Sequence, residues 1–358
     1  IRENDVKLIH MRHEQATAYA ADAYARVTGT PGVCAVTAGC GLTNAVTGLC
    51  CAGLTNSSVV CLSGQHPTTE DLIGSFQEAY GSEVLGSFAK FTKRVLDWST
   101  IEVDLRQAFR EAKNPPQGVS LLEIPTNILY HSEEQEKQRP GAKVYEPDAL
   151  RSQGDPRSIE RAVELLFKAE RPMIAGGDGI FWSDAAAELK ELAELTQTPV
   201  YCRRAGQGAL DEAHALAVRG AWKKPFTGQA DLVLAIGFRF WSGEKFGQPP
   251  TWTDKATYIQ VDTDPHRVGW HVPAEIGIVG DPKLVLRQFI DKIKEMKLDF
   301  DSKSESPWMK QMAEVRQNYE TMIGERARKT HDDMPIHPDR LTKDLVSVID
   351  DDANAAPD

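Results

Sequence analysis

The sequence predicts an α/β protein built from two doubly wound, parallel-sheet domains. Three observations carry that expectation. Short β-branched or apolar runs alternate with helix-forming stretches from residue 1 to about 131, and a second alternating series occupies 155–295. Strands separated by helices in this way pair in parallel, with helices covering the sheet. Between the two series, 132–154 is polar, and Glu133–Glu134–Gln135–Glu136–Lys137–Gln138–Arg139–Pro140 offers too little apolar surface to offset the entropy of ordering it. A third region, 296–358, is charged and partly helical and is expected to be a linker leading toward a further domain.

Element by element, Val6–His10 is expected to be a strand, and Glu14 opens an alanine-rich helix over Gln15–Arg26. Val33–Thr37 is the next strand, Leu42–Leu54 a helix, and Val59–Ser63 a third strand. Ile101–Ala112 is expected to be helical. Pro115–Pro116–Gln117–Gly118 then turns the chain into a strand, Val119–Ile124, which Pro125 ends because proline cannot donate to a central ladder. In the second series Ile159–Phe167, Ala185–Leu195 and Leu284–Ile293 are expected helices. Pro172–Ala175, Val200–Cys202, Leu232–Ile236 and Thr257–Val261 are expected strands of a six-strand unit. Helical patterns follow at Trp308–Arg326 and from Ile336 to Val348, before a polar end, Asp350–Asp351–Asp352–Ala353–Asn354.

Bulk properties narrow the function. A length of 358 residues with 41% hydrophobic content suits two cores. The net charge of −11 argues against nucleic acid and anionic membrane surfaces, and no apolar run approaches the roughly 18 residues a span requires. Cys34, Cys40, Cys50, Cys51, Cys61 and Cys202 fit neither a disulfide framework nor a zinc site, which points to reduced, mostly buried thiols in a cytoplasmic protein.

The residues with chemical content lie early. Arg12–His13–Glu14 stands where a predicted strand hands over to a helix, so the Glu14 carboxylate sits near unpaired N–H groups and the positive end of the helix dipole. Stabilising its own helix would be role enough for a lone glutamate. Further on come Gly32–Val33–Cys34–Ala35–Val36–Thr37–Ala38–Gly39–Cys40–Gly41–Leu42–Thr43–Asn44 and then Phe76–Gln77–Glu78.

That ordered set resembles the pyrimidine-binding domain of thiamine-diphosphate enzymes, in the branch containing acetolactate synthase, 2-hydroxyacyl-CoA lyase, oxalyl-CoA decarboxylase and benzaldehyde lyase. The resemblance extends through most of the chain. It implies a pyrimidine domain over 1–131, incomplete at its N-terminus, and a Rossmann-like middle domain over 155–295. The diphosphate-binding region, with the Mg2+ ligands, would then lie on a partner domain or subunit of a homo- or hetero-oligomer. By the same resemblance Glu14 holds the proton at the pyrimidine nitrogen that lets the cofactor ionise its thiazolium C2. Thr37, Cys40 and Asn44 would line the pyrimidine, and Gln77 would approach the reacting carbon. Catalytic roles thus fall to Glu14 and Gln77, and cofactor contacts to Glu14, Thr37, Cys40, Asn44 and Gln77. Cys40 departs from the family, which has proline between the two glycines. A small buried hydrophobe is the plainer reading of it, and His13 and His66 receive no role.

Gly176–Gly177–Asp178–Gly179 imitates the start of the family's magnesium motif, but no asparagine follows in the window near Cys202–Gly208, so no metal ligand is assigned in this chain. It is also no dinucleotide fingerprint, which disfavours an NAD-linked oxidoreductase. Relatives bind CoA, ADP, FAD or nothing at the middle domain. Arg203, Arg204, Arg239 and Lys245 are the candidate phosphate contacts, and Asp262–Thr263–Asp264 a candidate ribose contact. The activity expected is C–C bond cleavage or carboligation on a 2-hydroxyacyl-CoA or 2-oxo acid. An acetolactate-synthase-like catalytic subunit is the nearest alternative, and a non-catalytic regulatory subunit of the same fold is the second.

Overall fold

The computed structural model describes residues 6–132, 150–350 and 353. Most of the expected linker (133–149) and most of the polar end after 350 lie outside the described residues. The chain divides into two compact units, Ile1–Ser152 and Gln153–Asp358.

In the first unit the elements run α1 (Glu14–Thr28), β1 (Gly32–Val36), α2 (Cys40–Leu54), β2 (Val59–Gln65), α3 (Gly81–Leu85), β3 (Phe91–Arg94), α4 (Ile101–Lys113), β4 (Val119–Pro125) and α5 (Thr126–Leu129). Four parallel strands form one sheet in the order β1-β2-β4-β3. Alternation along each strand decides which layer a side chain enters. Cys61 and Leu121 pack with Ala18, Ala45, Leu49 and Ala52 of α1 and α2 on one face. Val60 packs with Ala108 and Ala112 of α4 on the other. Strands covered on both faces read as continuous apolar runs, which is why β2 and β4 were legible.

Two expectations fail here. Val6–His10 forms no strand. It pairs with nothing among the described residues, and Val6, Leu8 and Ile9 are exposed. A β-branched run becomes a strand only where a neighbour supplies ladder partners and a face to bury. β3 was not foreseen, because Phe91–Arg94 is short and half charged. Its pairing with β4 makes it a strand.

The second unit contains α6 (Pro156–Lys168), β5 (Pro172–Gly176), α7 (Asp178–Trp182), α8 (Ala186–Thr196), β6 (Val200–Cys202), β7 (Ala217–Val218), α9 (Lys224–Thr227), β8 (Leu232–Ile236), β9 (Thr257–Asp262), β10 (Ile276–Val279), α10 (Pro282–Glu295), α11 (Pro307–Lys329) and α12 (Pro338–Val348). Six parallel strands lie in the order β10-β9-β8-β5-β6-β7. The order reverses between β5 and β8, the arrangement of a Rossmann-type sheet. β7 and β10 are the strands whose sequences gave no signal, being very short or carrying a glycine.

Residues 296–335 are more than the linker expected of them. Phe300, Trp308 and Met312 are buried in the cores of this unit, and the Trp308 Nε1–H donates to the Pro172 carbonyl at 2.9 Å. Charge on the outer face of α11 hid the apolar anchors on its inner face. No helix among the described residues is long and apolar enough to cross a membrane.

Candidate active site

The site is assembled at the carboxyl ends of β1 and β2, where α1, α2 and the 66–80 segment converge. α1 starts at Glu14 because His13, in extended conformation, caps it: the Gln15 N–H donates to His13 Nδ1 at 3.1 Å. His13 therefore has a structural role that the sequence did not reveal. The Glu14 side chain stays half-buried, and its Oε2 accepts from Asn44 Nδ2, one turn into α2, at 3.2 Å. Its own backbone N–H, then the Asn44 amide, hold the Glu14 carboxyl below the ordinary carboxylate range.

The loop between β1 and α2 forms the floor. Gly39 has φ +55, and a Cβ there would lie 2.5 Å from the Gln77 carbonyl oxygen, so only glycine admits this approach. A Cβ at Gly41 would meet Thr37 Cγ2 at 2.6 Å and Glu14 Oε1 at 3.7 Å. Gln77 itself is in the left-handed region, φ 61, a conformation that persists in a non-glycine residue only where its surroundings impose it. Its Nε2 donates to Cys40 Sγ at 3.1 Å. The five residues singled out from sequence, Glu14, Thr37, Cys40, Asn44 and Gln77, thus lie in one cluster, drawn from positions up to 63 residues apart.

Cys40 is exposed at the first turn of α2, so it is no buried hydrophobe. Nor are the thiols mostly buried: Cys34 and Cys61 are, Cys50 and Cys202 are intermediate, and Cys40 and Cys51 are exposed, all free. The face of the strand or helix that each occupies, not residue type, decides this.

Sequence reasoning missed the polar network behind Gln77. Glu78 accepts from the backbone N–H groups of Leu72 at 2.6 Å, Gly74 at 3.0 Å and Ser75 at 3.1 Å, and from the Tyr80 hydroxyl at 3.0 Å. These donors, the Leu72 N–H first, hold its carboxyl below the usual range. Arg94 makes a bidentate pair with Asp71 at 2.9 and 2.7 Å. Glu123, buried on β4, accepts from Gln65 Nε2 and the Gly81 N–H, both at 2.8 Å, and burial pushes its carboxyl up.

In the second unit two of the four candidate phosphate contacts, Arg203 and Arg204, already face carboxylates. Arg204 Nε lies 3.0 Å from Asp178 Oδ2, and Arg203 Nε lies 3.6 Å from Glu244 Oε1. Burial, reinforced by Arg267, pushes the Arg239 guanidinium down. Lys245 has φ 50, and Asp262 Oδ1 accepts from the Asp264 N–H at 2.9 Å. Asp178 also accepts from the Ala205 N–H at 3.1 Å, a structural use for the Gly-Asp-Gly turn.

The Asn44 hydrogen bond gives a direct expectation. In Asn44→Ala the Glu14 carboxyl should titrate at higher pH than in the parent, because a donor to the ionised form is lost. Carbon-13 NMR of the Glu14 carboxyl would read this. An unmoved midpoint would show that Asn44 does not stabilise the carboxylate.

A carboxylate at a helix start, a glycine-bearing turn and a glutamine held against it lie in one parallel α/β unit, and the other unit is a Rossmann-type α/β sheet. Comparison with known proteins agrees. The family description "Thiamine pyrophosphate enzyme, N-terminal TPP binding domain" matches residues 1–84, and "Thiamine pyrophosphate enzyme, central domain" matches 159–289. The chain belongs to the thiamine-pyrophosphate-dependent enzyme family. It is 34% identical, over 96% of its length and 59% of the relative's, to a probable acetolactate synthase large subunit of Methanococcus aeolicus. It is 30% identical, over 98% of its length and 61% of the relative's, to a probable acetolactate synthase of Mycobacterium bovis. To a glyoxylate carboligase of Escherichia coli O157:H7 it is 28% identical over 96% of its length and 58% of the relative's. The chain thus spans about three-fifths of the length of these curated relatives.

Proposed function

We propose that this chain supplies the pyrimidine-binding and central domains of a thiamine-diphosphate-dependent carboligase acting on 2-oxo acids, similar to acetolactate synthase. One observation carries the reading: Glu14, Asn44, Cys40 and Gln77 converge on the glycine-bearing turn between β1 and α2. Of the two substrate classes expected, the 2-oxo acid is favoured over the acyl-CoA thioester by the names of the relatives, acetolactate synthase and glyoxylate carboligase.

The residues fit an aminopyrimidine. Gly39 and Gly41 let the turn close on Gln77 and Thr37, and Asn44 holds beside it the Glu14 carboxylate, the group that would meet a pyrimidine nitrogen. When bound, thiamine diphosphate supplies the carbanion chemistry that cleaves and joins bonds next to a carbonyl. Glu14 holds the proton at the pyrimidine nitrogen. Covering its open carboxyl with an apolar ring opposes the downward bias it has here, because desolvation disfavours the charged form. Gln77, oriented by its bond to Cys40, would present its carboxamide to the bound cofactor.

The diphosphate and its Mg2+ are assigned to a complementing domain, on the same polypeptide or a partner. Leu72, Ile73 and Phe76, beside Gln77, are 84%, 74% and 85% exposed, an apolar rim suited to being covered. The chain alone is therefore expected to bind thiamine diphosphate more weakly than about 10 μM, since the phosphates and their cation provide much of the charge-based affinity. Calorimetry with magnesium would test this, and tighter binding would refute the shared site. For the whole reading, the complete protein should co-purify with thiamine diphosphate and condense glyoxylate or another 2-oxo acid. Neither cofactor nor product would overturn it.

A further inference from the structure

His66 follows β2, and its side chain is fully inaccessible. Its Nδ1 lies 2.7 Å from Gln65 Oε1 and its Nε2 lies 2.7 Å from Asp71 Oδ1. The direction of both hydrogen bonds can be worked out from their neighbours. Gln65 Oε1 also accepts from the His66 backbone N–H at 3.0 Å, while Gln65 Nε2 donates to the Ala79 carbonyl at 2.6 Å. A backbone N–H only donates and a carbonyl only accepts, so the amide cannot be turned over and Oε1 is an acceptor. The ring nitrogen facing it must carry a proton. On the other side Asp71 accepts two bonds from Arg94, which holds its carboxyl low, so Asp71 is also an acceptor. A neutral imidazole would set a lone pair against an oxygen lone pair at one of these two contacts, inside the protein.

We infer that His66 is a doubly donating imidazolium that latches the Asp71–Glu78 loop and thereby positions Gln77. The surrounding groups balance such a cation. Asp71 and Glu78 are its carboxylates, with Glu78 Oε1 3.9 Å from Nε2, and Arg94 is the second cation, its guanidinium also within reach of the His66 carbonyl at 3.5 Å. Tyr80 presents its ring edge-on at 5.6 Å, and Glu123 faces the ring through Gln65. The mechanical link is short. Asp71 ties the start of the loop to His66 and Arg94. Glu78 gathers the N–H groups of Leu72, Gly74 and Ser75, and Gln77 sits between these anchors with φ 61. The His66 ring contacts Gln65 and Asp71, not the Glu14 site. It is a positioning residue, and only its catalytic consequence rests on the function proposed above.

Two measurements test the latch without catalysis. In the protein labelled with nitrogen-15 histidine, at pH 7.5 where an ordinary histidine is mostly neutral, both ring nitrogens of His66 should show bonded protons. One lone-pair nitrogen would overturn the proposal on the unmutated chain. In His66→Phe, amide hydrogen exchange should accelerate by about 10-fold or more across 72–78 while β1 and β2 keep their protection. Unchanged exchange in the loop would overturn it. The catalytic consequence is read in the complete enzyme. His66→Phe and Gln77→Ala should each lower kcat by about 10- to 100-fold, and the double variant should be no worse than the poorer single one. Losses that multiply would show that His66 does not act through Gln77. If the ring and loop measurements succeed and the complete protein has no thiamine-diphosphate activity, the functional reading falls and the latch stands.

Discussion

Replacing Glu14 by glutamine in the complete enzyme is expected to lower turnover by about 10²- to 10⁴-fold, the usual worth of a positioned acid or base. The amide keeps the length of the side chain and its hydrogen bond with Asn44, but its N–H groups are not acidic enough to give a proton to a ring nitrogen. Exchange of the C2 hydrogen of bound thiamine diphosphate should slow in parallel. The fold should be indifferent, because α1 is started by the His13 cap and Glu14 is open to solvent on one side. A thermal melt should therefore overlay that of the parent. C2 exchange at the parent rate, with cofactor bound, would reduce Glu14 to a helix-start carboxylate and remove the centre of the proposed chemistry.

The largest expected loss of stability is in the second unit, at Trp252. This indole is fully buried, with the ring of Phe240 at 5.0 Å, Phe238 at 5.5 Å and Tyr201 at 6.3 Å, and its Nε1–H donates to Glu244 Oε2 at 3.2 Å. Truncation to alanine leaves a large cavity and also takes a donor from a buried carboxylate. Tyr201 at 2.8 Å and Lys223, which makes a close ion pair, remain to hold Glu244. Trp→Ala changes in cores destabilise by about 3–5 kcal/mol, and the lost donor places this one toward the upper end. Urea unfolding of Trp252→Ala should show this as a midpoint shift, while the Glu14–Asn44 contact in the other unit should be unaffected. A loss below about 1 kcal/mol would mean that the aromatic cluster repacks around the hole.

Much of this protein was legible in its sequence, for reasons that differ from element to element. β2, β4, β5 and β8 lie between two helical layers, so both faces must be apolar and the run itself announces the strand. α6 and α10 carry apolar residues at helical spacing with proline at the first turn and an aspartate cap. The cluster of Glu14, Thr37, Cys40, Asn44 and Gln77 was legible through the order of its motifs, which resembles that of the family, although the strand expected before Glu14 does not form. Glycines mark where backbone must approach.

What the tertiary structure alone decided is what depends on a neighbour. Val6–His10 has the composition of a strand and no ladder to join, whereas Phe91–Arg94 has a weaker composition and becomes one beside β4. Cys40 could be named from sequence, but its exposure and its bond to Gln77 follow from where the first turn of α2 meets a loop 37 residues on. The His66–Asp71–Arg94 set joins the end of β2, a turn and β3, and no local spacing encodes it. Hydrophobic periodicity reports which face of an element is buried. It is silent on which polar groups share that interior, because partners in a hydrogen-bond network are chosen by folding and not by distance along the chain.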